Sequence, residues 1–118
     1  MLRDIRESDW KVLRELKPLA LARYCDRVLT DVVALASDGN QGSHERYLAV
    51  FSLIQQRDEV LANAFNSLSR SNALWKLAAM RKLDLLTEEE FFRFSPETRQ
   101  AVDRMLSDGV KRQTIIIA

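Results

Sequence analysis

Asp58 is the residue of this chain whose surroundings raise a chemical question. It lies in Gln55-Gln56-Arg57-Asp58-Glu59, five polar residues between Leu53-Ile54 and Val60-Leu61. At about 100° per residue, five helical positions sweep roughly 400°, so they cannot all face solvent. Positions 47, 51, 54, 58, 61, 65 and 68 read Tyr, Phe, Ile, Asp, Leu, Phe and Leu. Asp58 therefore fills the one polar slot of an apolar stripe. A carboxylate on such a face is hydrated where the helix passes beyond the core, paired with a cation, or protonated. Arg23, Arg27 and Arg81 are the candidate partners. A buried polar set of Asp58, Arg57 and Arg27 would fix register between helices or between subunits. A catalytic Asp58 is the third reading, and no partner for such chemistry stands out.

The other reactive side chains are few. The chain has one His and one Cys, too few converging ligands for a zinc or haem site. Cys25 sits at an apolar-periodic position and reads as a small buried hydrophobe; alone, it forms no intrachain disulfide. His44 stands in a helical first turn beside Glu45, an exposed imidazole unsuited to a nucleophilic triad. Gly39 and Gly42 are followed by no Lys-Ser/Thr, so no phosphate loop is present. Glu88, Glu89 and Glu90 point in different directions on a helix and suit its N-terminal dipole. No cofactor, no metal and no enzymatic activity are expected.

Two features are better suited to contact. Phe91, Phe92 and Phe94 crowd one short turn; either all three enter the core, or one is left as an exposed anchor of the kind that carries interface energy. Thr114, Ile115, Ile116 and Ile117 are four consecutive β-branched residues, strand-like by type and an aggregation hazard if left open. Residues 110–118 are therefore expected as a short extended tail, buried on its own helices or, by preference, against a second copy.

These residues must be carried by a helical frame. A length of 118 residues suits a single domain, 1–118. Three Gly and two Pro are too few for the many turns of a strand-rich fold. Ser8 is a candidate cap for a first helix, and Pro18 either starts a second or kinks a continuous one. From Leu21 the positions 21, 25, 28, 32 and 35 read Leu, Cys, Val, Val and Leu, widened by Leu29 and Val33. Gly39 is the expected left-handed terminator of that helix. Ser43 opens a long helix reaching about Ser69, and Asn72 or Ser71 opens the next. Thr87-Glu88-Glu89-Glu90 reads as a capping box, and Ser95-Pro96-Glu97 as a helix start that runs to Gly109. The stretch Lys76 to Phe91, KLAAMRKLDLLTEEEF, resembles a short helix–turn–helix hairpin, a likeness that follows largely from this capping.

The expected fold is all-α, about six helices in one bundle around a long antiparallel pair, roughly 18–37 and 44–69. The expected function is a non-enzymatic protein-interaction or regulatory module that self-associates as a homo-oligomer. The alternative is a nucleic-acid-associated regulator with a composite basic face of Arg70, Lys76, Arg81 and Lys82, joined by Lys111 and Arg112. Its weakness is a net charge of +1 with signs alternating along the chain. A small enzyme working through Asp58 ranks third. No apolar run approaches the roughly 18 residues of a membrane span. The first residues carry no apolar leader, which makes cytoplasmic the default expectation.

Overall fold

The computed structural model describes the backbone of residues 5–117 and the side chains of residues 5–108. Among the described residues every regular element is a helix: α1 (Glu7–Ala36), α2 (Ser43–Phe65), α3 (Ala73–Lys82), α4 (Glu88–Phe92) and α5 (Pro96–Ile117). The expected first and second helices are one, because α1 runs straight through Pro18. A proline inside a helix costs about 3 kcal/mol. Here its ring faces water, while Leu13, Leu16 and Ala20 on either side are fully buried and hold both halves against the core.

The helix ends also depart from simple expectation. No glycine among the described residues has a positive φ, so Gly39 is not the left-handed terminator. Instead α1 stops at Ser37, Arg46 donates to the Ala36 carbonyl at 2.7 Å, and the Asp38 carboxylate accepts from the Asn40 N–H at 3.0 Å. A side chain reaching back from α2 thus satisfies a carbonyl that a glycine motif would otherwise take up. Helix α2 opens one residue past Gly42 and ends at Phe65, short of Ser69. Ser67 turns the chain at φ 59°. The Asn72 amide braces that turn from the far side, accepting from the Ser69 N–H and donating to the Ser67 carbonyl, both at 2.9 Å.

At the end of α3 the left-handed position is taken by Asp84, φ 57°. The Leu85 N–H reaches the Met80 carbonyl and the Asp84 N–H the Arg81 carbonyl, each at 3.0 Å, the Schellman pairing. Leu85 and Met80 are both buried, supplying its apolar contact. The Thr87–Glu90 capping box forms as expected: Glu90 donates its N–H to the Thr87 hydroxyl, and the Thr87 N–H is accepted by the Glu90 carboxylate. Ser95 caps α5, accepting from the Thr98 N–H at 3.3 Å. Helix α5 does not stop at Gly109 but continues to Ile117, so the tail is helical in backbone rather than extended. Each residue added to an existing helix gains a hydrogen bond, and β-branched types give up only a fraction of a kcal/mol of propensity, about 0.7 at most. The side chains of Ile115, Ile116 and Ile117 lie outside the described residues.

The core gathers at one end. Leu13, Leu16, Ala20 and Tyr24 of α1 meet Ala64 and Phe65 of α2, Leu77 and Met80 of α3, Phe91 of α4, and Phe94 and Val102 around the start of α5. The remaining halves of α1 and α2 extend beyond it as a two-helix arm. The described molecule measures 51 × 39 × 25 Å with a radius of gyration of 17.1 Å. A compact domain of this length has about 13.5 Å, so the described molecule is elongated.

Candidate functional site

The arm carries a groove and a set of exposed apolar side chains. Arg57 of α2 pairs with Asp31 of α1 at 2.8 Å, and the Tyr24 hydroxyl donates to the Arg57 carbonyl at 3.0 Å. Burial pushes the Tyr24 hydroxyl above its ordinary pKa, which keeps it a donor. These contacts define the seam between the two helices. To one side of the seam lies a groove of about 330 Å³. Its walls are Cys25, Val28, Leu29 and Val32 from α1, and Ile54, Asp58 and Leu61 from α2. The groove walls Leu29 and Ile54, and Val33, Tyr47 and Phe51 beside them, are open apolar side chains. Leu29 is 59%, Val33 63%, Tyr47 64%, Phe51 53% and Ile54 47% exposed.

The reason lies in the lengths of the helices. At about 1.5 Å per residue, α1 spans roughly 45 Å and α3 only about 15 Å. The short helices cover Leu16, Ala20 and Tyr24 of α1 and Phe65 of α2, and nothing among the described residues reaches the outer turns. The stripe 47, 51, 54, 58, 61, 65 therefore begins in water at Tyr47 and ends in the core at Phe65.

Asp58 is consequently not a buried polar residue. It is exposed and lines the groove. The three arginines that could have met it are engaged elsewhere. Arg23 grips Glu90 through two bonds, 2.6 and 2.9 Å, and donates to the Leu85 carbonyl at 2.8 Å. Arg27 is exposed and donates to the carbonyls of Leu83 and Asp84, capping the end of α3. Arg81 pairs with Glu88 at 2.8 Å and lies 4.2 Å over the Phe91 ring. The expected register set of Asp58, Arg57 and Arg27 is thus not assembled: Arg57 pairs with Asp31 at the seam, and Arg27 reaches from α1 to the carbonyls at the end of α3.

The phenylalanine cluster divides. Phe91 and Phe94 enter the core with ring centroids 6.2 Å apart, while Phe92 is 66% exposed with the Arg99 guanidinium 4.2 Å above its ring. Three residues of the composite face have intramolecular partners: Arg70 binds Glu7 and the Ile5 carbonyl, Lys76 the Asn63 carbonyl, and Arg81 the Glu88 carboxylate. Lys82 is exposed, and the side chains of Lys111 and Arg112 lie outside the described residues. His44 is exposed and stacks on Tyr47 with ring centroids 6.5 Å apart. Among the described residues no cluster of three His, Cys, Asp or Glu side chains could hold a metal ion, and no helix is long and apolar enough to cross a membrane.

Sequence reasoning assigned Leu29, Val33, Tyr47, Phe51 and Ile54 to helix stripes facing the core. The signal that distinguishes them is disparity of length, since two long apolar stripes were expected beside helices too short to cover them. A second buried cluster was also missed: Asp9, fully enclosed, accepts from the Ser95 N–H at 2.8 Å and from the Ser95 and Thr98 hydroxyls, both at 2.7 Å. It ties the first turn of α1 to the first turn of α5 and has no histidine near it in sequence to make a nucleophile of Ser95. Compared with known proteins, the chain matches no family model, no curated protein and no solved structure.

Proposed function

We propose that this chain is a small non-enzymatic helical module that works by binding protein and associates with itself. In this reading α1 and α2 form the long antiparallel pair of the fold, and their apolar flank is the contact face. The observation that carries the reading is the concentration of Leu29, Val33, Tyr47, Phe51 and Ile54 on that flank. These five residues leave on the order of 500 Å² in water, within the range of the largest patch on a typical monomer, which is often functional at that size. Cytoplasmic residence belongs to the same proposal and rests on the sequence expectation alone.

The test is a pair of charge substitutions on the face, Phe51→Lys and Leu29→Lys, followed by the solution mass of each chain. The reading expects association to weaken while the helical signal and melting temperature stay near those of the parent. Nucleic-acid binding is the competing reading, and its favoured cations already have intramolecular partners. Retention on DNA or RNA at low salt, falling steeply as salt rises, would favour it instead. An enzyme working through Asp58 would require Asp58→Asn to abolish a cellular phenotype without changing the fold.

A further inference from the structure

We infer that the occupant of the arm's apolar flank is a second copy of the same flank, so that two α1–α2 hairpins pack face to face as a four-helix bundle. This deepens the reading above and rests on it. Width is the first argument. By the periodicity of about 100° per residue, Val33 lies about 160° round α1 from Asp31, and Phe51 about 120° round α2 from Arg57, the two residues paired at the seam. Val33 and Phe51 are therefore the outer shoulders of the face, with the groove between them. One foreign helix seated in the groove covers Leu29 and Ile54 but leaves both shoulders partly wet. A second pair of helices covers groove and shoulders together.

Area is the second argument. Two flanks of this size bury roughly 1,000 Å² between them, the lower bound for a specific interface, so the dimer is expected to be weak and concentration-dependent. A two-fold arrangement uses the same patch twice and is self-complementary, so it needs no charge of opposite sign on a partner. The groove holds one carboxylate, Asp58, and its cation, Arg57, is already paired with Asp31. In the bundle Asp58 is the polar position within an apolar seam, which disfavours registers that would bury it.

The single cysteine supplies an internal probe, because Cys25 is half-buried and lines the groove. The experiment measures the mass of the full chain by light scattering over a wide concentration range, beside the rate at which N-ethylmaleimide labels Cys25. The expected result is a dimer at high concentration, with labelling slowing in step with mass. In Phe51→Lys and Leu29→Lys the dimer dissociation constant should rise about a hundredfold, as for a central apolar anchor, and labelling should be fast throughout. A dimer that survives both substitutions but dissolves in Phe92→Lys or Ile116→Lys overturns the proposal and leaves self-association through another surface. A monomer at every concentration with Cys25 open also overturns it. The melting temperature of Phe51→Lys then separates the two readings. An unchanged value leaves the face free for a different protein. A sharp fall shows that the chain covers its own face, and protein binding loses its basis as well.

Discussion

Arg23 and Glu90 meet as a two-pronged pair, guanidinium Nη1 to Oε1 at 2.6 Å and Nη2 to Oε2 at 2.9 Å. The same carboxylate accepts the Thr87 N–H at 2.8 Å, so one side chain both completes the capping box of α4 and anchors α4 to the middle of α1. Arg23, first through its hydrogen bonds, and then the Thr87 N–H lower the Glu90 pKa from the usual 4.5 to about 2.

A carboxylate held below its unfolded value contributes stability above that value and loses it as pH falls through the folded one. The window here runs from 4.5 down to about 2. Because the Arg23 guanidinium is partly open to water, the pair is screened, and about 1 kcal/mol is expected at neutral pH. Glu90→Gln retains a capping-box side chain and removes only the charge. Melting curves from neutral pH downward should show parent and variant about 1 kcal/mol apart at neutral pH and converging below pH 4.5, with the gap closed near pH 2. A constant gap across that range would contradict the assignment.

Asp9 is the joint between the two ends of the fold. Its oxygens satisfy one amide and two hydroxyls in a region closed to water. Asp9→Ala leaves three buried donors without an acceptor and should cost about 2–4 kcal/mol by urea denaturation. Asp9→Asn keeps the size and one acceptor oxygen, and should fall between the parent and the alanine variant.

Asp84 holds a left-handed backbone at φ 57°, which costs an L residue about 1 kcal/mol. Asp84→Gly relieves that strain and should stabilise by up to about 1 kcal/mol, less the added freedom of the unfolded chain. A rise of about 4 °C in melting temperature is the upper bound for a chain of this size. Asp84→Val should move it the other way, since a β-branched residue at that φ is worse placed.

Asp58→Leu tests the groove from the opposite side to the lysine substitutions. If two flanks face one another, removing two carboxylates from the seam should tighten the dimer about tenfold or more. The same change should lower solubility, because it extends an apolar face. A dimer constant unchanged by Asp58→Leu would place Asp58 outside the contact.

Much of the frame was legible. The Thr87–Glu90 box and the Ser95-Pro96 start appear where their residue types predict them, because both depend on contacts within one turn. What was illegible depended on residues distant in sequence. The choice between the two local readings of Pro18, a new helix or a continuous one, is made by packing on both sides, which outweighs the missing bond. Gly39 yields its role because Arg46 reaches the Ala36 carbonyl from the next helix. The Asp9 cluster joins residues 86 or more positions apart, which no local pattern announces. The stripe through Tyr47, Phe51 and Ile54 was read correctly as an apolar helix face. Its exposure could not be read from periodicity, which reports that a face is apolar and not whether the fold is large enough to cover it.

The arm gives this chain two kinds of surface on the same pair of helices. Leu13, Leu16, Ala20 and Phe65 hold the fold together, while Leu29, Val33, Tyr47 and Phe51 lie outside the core. Changes at the outer turns can therefore accumulate without first passing a test of folding. Sequences descended from a common ancestor of this chain should vary at these outer positions sooner than at Leu13, Leu16, Ala20 and Phe65.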